Sequence, residues 1–254
     1  MKRLKTKSID DFRASREEEP LHLPRAAPFI LIVCSSLALA SCATTNSTAS
    51  NVDPNVAAMY AAPEAEPHRV PAVSASKIDP RYYRQRVKTP SKVKARPGTI
   101  VVDPNDKFLY LVESGGMSTR YGIGVGKAGF SWSGNATISD KQEWPKWFPP
   151  KEMQQRDLRA WFNAKGMEGG TRNPLGARAL YLFEGKCNGN NTRTEACKDT
   201  LYRLHGTSDE NSIGKAVSSG CIRLLNQDII DLYERVPLGT KVVVLKGTEP
   251  PPSG

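Results

Sequence analysis

The groups able to do covalent chemistry are few. The chain has 254 residues with five cysteines and three histidines, and only Cys187, Cys197, Cys221 and His205 fall in its strand-rich C-terminal part. A cysteine attacks a carbonyl as its thiolate, and near neutral pH it needs a base to reach that state. His205 is the one imidazole there, because His22 and His68 lie far upstream. Gly206 and Gly220 supply backbone that a substrate can approach closely, and the amides of Gly220 and Cys221 are expected to face a developing oxyanion. This is the equipment of a thiol nucleophile with an imidazole base. A buried structural cysteine beside a packed histidine gives the same spacing, and spacing alone leaves both readings open.

The remaining cysteines sort by context. Cys187 and Cys197 flank a polar loop rich in Asn, Gly and Thr. In an oxidising compartment an odd count implies one pair and one free thiol, so a Cys187–Cys197 disulfide is expected, with Cys221 left over. A zinc site of the three cysteines and His205 competes, but no C-x2-C pair occurs, so it is not the expected arrangement. Gly124-Val125-Gly126-Lys127-Ala128-Gly129 matches the dinucleotide pattern G-x-G-x-x-G. The next residues, Phe130-Ser131-Trp132-Ser133-Gly134-Asn135, make a poor helix, so no helix N-terminus is expected to receive a phosphate.

The elements that must hold these residues are short strands. Thr99 to Val102 and Phe108 to Val112 read as two strands around a Pro104-Asn105-Asp106 turn, and Thr119 to Val125 as a third. A long loop is expected to carry Trp132, Trp144, Trp147 and Pro149-Pro150. Lys151 to Asn163 reads as a helix with Met153, Leu158, Trp161 and Phe162 on one face. Ala179 to Phe183 and Leu201 to Leu204 read as strands. Asn226 is expected to cap a helix carrying Ile229, Ile230, Tyr233 and Val236, and Lys241 to Leu245 closes with a strand. Residues 98–247 thus form one domain with a substantial core.

The region upstream differs in composition. Basic residues precede an apolar run, Phe29 to Ala40, that is too short for a permanent span, and small residues end at Cys42; this is an export signal pattern. Residues 43–97 are poor in large apolar side chains and then turn basic, and they read as a disordered tether, either simply solvated or touching anionic lipid or wall polymer. Residues 248–254 read as a flexible tail. The formal net charge is +10, of which residues 1–42 carry +2, 43–97 carry +5 and 98–254 carry +3. The excess lies mostly outside the expected domain, so nucleic acid is not an expected partner. A wholly disordered chain and a polytopic membrane protein are excluded by the composition.

Four segments resemble known motifs. His205-Gly206-Thr207, with Ser218-Ser219-Gly220-Cys221-Ile222-Arg223-Leu224 further on, resembles the signature of the L,D-transpeptidase (YkuD-like) catalytic domain, and Asn173-Pro174-Leu175-Gly176-Ala177-Arg178-Ala179-Leu180 resembles a further segment of it. Leu39-Ala40-Ser41-Cys42 resembles the lipobox of bacterial lipoproteins, which makes Cys42 the expected lipidation site, with an ordinary signal peptide cut after Ala40 (Ala38-x-Ala40) and an uncleaved anchor as the alternatives. The first resemblance implies a mostly β domain, sandwich or barrel-like, with a few helices. It implies Cys221 as nucleophile, His205 as general base and acid, and the Gly206 carbonyl as the group that orients the imidazole. It further implies Arg223 as a residue that holds substrate or shapes the pocket. Ser219 stands where many members carry histidine. Arg178 is a candidate for a substrate carboxylate, and Trp144 and Trp147 for the pocket wall.

The implied chemistry is acyl transfer on peptidoglycan stem peptides, without cofactor, and acylation by carbapenems. The acceptor is a second stem, giving a 3→3 cross-link, or an outer-membrane protein, or water. A non-catalytic wall-binding lipoprotein and, within catalysis, a cysteine peptidase or sortase-like enzyme are the rival readings. Export and lipidation imply a periplasmic chain anchored to a membrane. Ala43 after Cys42, where an aspartate is associated with inner-membrane retention, favours the outer one.

Overall fold

The computed structural model describes residues 52–126, 132–155, 157–187, 194–218 and 220–247. All of them belong to one unit, Thr48–Gly254. Cys42, Ser219 and the 248–254 tail lie outside the described residues.

The frame is a nine-stranded sheet. Its strands are β1 (Gln85–Lys88), β2 (Ile100–Asp103), β3 (Phe108–Val112), β4 (Met117–Gly122), β6 (Gly134–Glu143), β7 (Arg178–Gly185), β8 (Cys197–Thr207), β10 (Ile222–Leu225) and β11 (Lys241–Val244). In space they run β1-β4-β3-β2-β11-β6-β7-β8-β10, while β5 (Val125–Gly126) and β9 (Ala216–Ser218) form a separate parallel pair. Side chains from strands across this sheet, β2, β4, β7, β8 and β10 among them, meet in a single apolar cluster that includes Ile100, Tyr121, Leu180, Leu204 and Leu224. A sheet whose distant strands share one core must curve around it. The helix α4 (Asn226–Arg235) covers that core with Ile229 and Leu232. On the opposite face Val101, Phe108 and Tyr110 form a second cluster with Val93. Alternate residues of β2 therefore face two cores, which is why the strand is apolar throughout.

Several sequence expectations are corrected. Residues 53–97 are not a tether in the described structure. They contain α1 (Pro54–Met59), capped by the Asp53 side chain, and β1, which pairs antiparallel with β4. Tyr60, Val70, Val73, Ile78 and Val93 are buried. The segment's low apolar content misleads because its few apolar residues are spaced to sit in a groove whose other wall, Ile213 and Leu225, belongs to the downstream domain.

The segment that reads as a long loop contains β6. Its sequence, Gly-Asn-Ala-Thr-Ile-Ser-Asp-Lys-Gln-Glu, is polar, yet β6 sits between β11 and β7, with the strand ladder satisfying its backbone. The helix expected over Lys151–Asn163 is two short ones, α2 (Lys151–Gln154) and α3 (Leu158–Phe162), the second opened by an Asp157 side-chain cap. Leu158, Trp161 and Phe162 are exposed rather than packed. Asn226 is the first residue of α4 and does not cap it; its side chain serves another element, described below.

Candidate active site

β8 and β10 build the site. They pair in parallel with Ile222 opposite Leu204 and Arg223 opposite His205, which sets Cys221 at the entry to β10 beside Arg203. Side chains alternate along a strand, so Arg203 and His205 share a face of β8, and Cys221 and Arg223 share a face at the start of β10. Arg223 is fixed through its backbone: its amide donates to the Gly124 carbonyl at 2.8 Å, and the Gly124 amide donates to the Arg223 carbonyl at 2.9 Å. The first part of the glycine pattern, Gly124–Gly126, is thus held in strand pairing, while residues 127–131 lie outside the described residues.

His205 is buried, and its Nδ1 lies 2.8 Å from the Gly206 carbonyl oxygen. A carbonyl only accepts, so Nδ1 carries the proton and donates, which leaves the lone pair on Nε2. Burial lowers the imidazole pKa to about 4, with the Arg223 and Arg203 guanidiniums adding to the effect against the Gly206 hydrogen bond. Burial also pushes the Cys221 thiol up, opposed by Arg203 and Arg223. At neutral pH the resting pair is therefore a neutral imidazole and a neutral thiol. Both line one cavity of about 270 Å3, together with Trp147, Met153, Leu175, Arg159 and Arg223.

The backbone behind His205 is held by close packing. The Gly206 amide donates to the Leu175 carbonyl at 3.0 Å, and the Asn226 Oδ1 accepts from the Ala177 amide at 2.9 Å. A Cβ on Gly206 would meet that Asn226 oxygen at 2.3 Å, and one on Gly176 would meet it at the same distance. Only glycine allows the three segments to approach this closely.

The structure separates the other expected site residues. Cys187 and Cys197 are disulfide-bonded with Cα atoms 5.0 Å apart, and among the described residues Cys221 is the cysteine outside a disulfide. Arg178 is not open to a substrate carboxylate. Its Nη1 and Nη2 donate to the two oxygens of Glu66 at 2.9 and 2.6 Å, and both side chains are under a tenth exposed. Trp144 does not line the thiol cavity either, because its Nε1 donates to the same Glu66 carboxylate at 2.8 Å; Trp147 takes the place on the wall.

Two further residues hold these groups in place without standing out in the sequence. Arg203 is locked by Asp199 in a bidentate pair at 2.7 and 2.8 Å and lies 4.3 Å from the Tyr181 ring centre, so its charge stands beside Cys221. Its position two residues before His205 is the available signal. Glu66 has no signal, because nothing local shows that its partner lies more than a hundred residues downstream.

A buried base with its lone pair fixed and a thiol share one cavity on a curved β frame, an arrangement that is chemically able to support nucleophilic thiol chemistry. Residues 97–244 match the model of the YkuD family, the L,D-transpeptidase catalytic domain. The chain belongs to that family. It is 35% identical over 156 residues to the probable L,D-transpeptidase YcfS of Escherichia coli, a match covering 58% of this chain and 43% of that one. It is 31% identical over 153 residues to the probable L,D-transpeptidase ErfK/SrfK of the same organism, covering 59% and 44%. The match thus spans less than half the length of these curated relatives. A crystal structure described as a probable carnitine operon oxidoreductase from Brucella melitensis is 49% identical, with 66% of this chain and 96% of that chain covered and a TM-score of 0.43.

Proposed function

We propose that the chain is a peptidoglycan L,D-transpeptidase acting through Cys221. The observation that carries this reading is the fixed tautomer of His205, whose basic nitrogen shares a cavity with the Cys221 thiol. As the Cys221 sulfur attacks the carbonyl carbon of the third stem residue, a diamino acid, His205 Nε2 takes its proton. The resulting imidazolium gives that proton to the leaving amine of the terminal D-alanine, and a thioester remains. An acceptor amine then attacks the thioester; its proton passes to His205, the C–S bond breaks, and the imidazolium returns a proton to the sulfur. Because both partners rest neutral, the proton moves with the attack rather than before it. Arg203 and Arg223 stabilise the negative charge that appears on sulfur in each direction.

The reading includes export, with Cys42 lipidated and the domain outside the cytoplasm. The Leu39–Cys42 pattern supports it, as does the Cys187–Cys197 disulfide, a bond that persists in oxidising compartments. In cells, Cys42→Ala is expected to abolish lipid labelling and membrane recovery; an unchanged membrane fraction overturns the anchor.

The activity is tested by intact-protein mass spectrometry with a carbapenem, then by incubation with disaccharide-tetrapeptide. A drug adduct absent from Cys221→Ala, with D-alanine release and 3→3 dimers, is the expected result. A folded protein that forms no adduct and releases no D-alanine would be a wall-binding lipoprotein instead.

A further inference from the structure

Beside the thiol cavity lies a larger one of about 810 Å3, and Arg159 of α3 lines both. Its other walls include His68, Asn163, Glu168 and Arg172 and the backbone of Gly169–Gly170. We infer that this groove is the acceptor subsite, and that it takes a peptide bearing free carboxylates whose amine reaches the Cys221 thioester past Arg159. The inference rests on the transpeptidase reading and names the chemistry of its second substrate.

Charge and construction carry the argument. Arg159 and Arg172 are exposed in the groove, and among the described residues neither guanidinium is paired with a carboxylate. The acidic member of the wall, Glu168, is already matched by Lys146 at 2.5 Å. Two uncommitted forked donors and an imidazole favour an anionic ligand, and a guanidinium fits a carboxylate in two-point geometry.

The walls are built rather than incidental. Asn173 is buried beneath the groove: its Nδ2 donates to the carbonyls of Pro145, Met167 and Glu168 at 2.9, 3.1 and 3.1 Å, and its Oδ1 accepts from the Leu175 amide at 2.9 Å. One side chain thereby fixes the loop that carries Arg172 and also Leu175, which lines the thiol cavity. The upstream segment also contributes to the lining through His68. His68 meets Trp144 edge to face at 4.8 Å, and Trp144 is held by Glu66, which is held by Arg178. The family match begins at residue 97, so His68 is an addition of the upstream segment to the groove.

Placement fits the second half-reaction. The acylated Cys221 fills its own cavity with the donor stem, so an incoming amine needs a separate approach to the thioester carbon. The C–N bond forms as the C–S bond breaks, the amine proton goes to His205 Nε2, and the thiolate recovers a proton from the imidazolium. Carboxylates of the acceptor held at Arg172 and Arg159 orient that amine and raise its effective concentration over water.

Transfer and hydrolysis are therefore separable. The full chain, Arg172→Glu and His68→Ala are compared on disaccharide-tetrapeptide and on an acceptor whose carboxylates are amidated. The expected result is that Arg172→Glu lowers the ratio of dimer to hydrolysed tripeptide by about ten-fold, with carbapenem acylation unchanged. Wild type is expected to show the same drop with the amidated acceptor, and His68→Ala a smaller one. A wild-type ratio in Arg172→Glu, or equal use of charged and amidated acceptors, overturns the subsite. Failure of the transpeptidase reading looks different, because wild type would then form no carbapenem adduct at all.

Discussion

At the scale of single residues, the site is governed by burial against charge. His205 is held neutral down to about pH 4, and Cys221 is pushed above the ordinary thiol range despite Arg203 and Arg223. A thiolate–imidazolium pair would give iodoacetamide alkylation a plateau across mildly acidic and neutral pH. The neutral pair predicts otherwise: the rate should climb continuously from about pH 5 to beyond pH 9, following the thiol alone. A flat limb between about pH 5 and 7 would show that the pair is ionised at rest. The tautomer argument is independent of this outcome, because it rests on the Gly206 carbonyl, which only accepts. Cys221 and His205 are readable in the sequence because their types are scarce and their flanking glycines mark close backbone approach. Arg178 misleads for the opposite reason. An arginine beside a motif looks the same whether its carboxylate partner is a substrate or, as here, a distant Glu66.

At the scale of elements, the strands that place the site are legible where apolar and β-branched residues run together. β2, β3, β7 and β11 fall within a few residues of their expected positions. β6 is not, because the sequence signal for a strand is apolar content, whereas a central strand is held mainly by its ladder. It pairs with β11 through Lys241 to Val244 and with β7 through Arg178 to Phe183. The helix over Lys151–Asn163 fails differently: its apolar residues recur at helical spacing, but Leu158, Trp161 and Phe162 face solvent, so no core rewards a continuous helix. Asn226 has the composition of a cap and is recruited to bond the Ala177 amide across a glycine junction. That junction yields a test. Gly206→Ala places a methyl group 2.3 Å from the Asn226 Oδ1. The expected cost is roughly 2 to 4 kcal/mol from overpacking and the lost buried hydrogen bond, read as a lower urea midpoint at unchanged slope. An alanine variant as stable as wild type would mean that the junction is looser than its packing indicates.

At the scale of the whole molecule, the upstream segment is part of the folded unit, and it is joined to the rest through charges taken out of water. Burial opposes ionisation of Glu66, yet the hydrogen bonds from Arg178 and Trp144 hold its carboxyl below the usual range. Removing one partner of such a pair strands the other, so Glu66→Gln should cost about 3 kcal/mol, and Glu66→Gln with Arg178→Met should recover most of it. A double variant no more stable than the single one would mean that the pair does not act as a unit. The second joint has the opposite character. Asp228 on α4 is buried, faces Arg84 at 3.8 Å and Tyr60 at 3.5 Å from the upstream segment, and has Asp231 on its own helix. Burial raises its pKa to about 7, with Asp231 adding and Arg84 and the Tyr60 hydroxyl opposing. In the unfolded chain this carboxyl ionises near pH 4, so between about pH 4 and 7 the native state holds a proton the unfolded state has lost, and stability falls as pH rises. His205 does the reverse. Its native value of about 4 lies below that of the unfolded imidazole, so stability rises with pH from about 4 to 6.5. The two slopes oppose each other over the same window. Asp228→Asn should therefore unmask the His205 slope and, above pH 7, gain stability on the order of 4 kcal/mol over wild type. Subtracting the two urea-derived curves cancels the groups they share. The difference should open from about pH 4 and level off near pH 7. Parallel curves would show that Asp228 is ionised in the native state and that Arg84 fully compensates its burial.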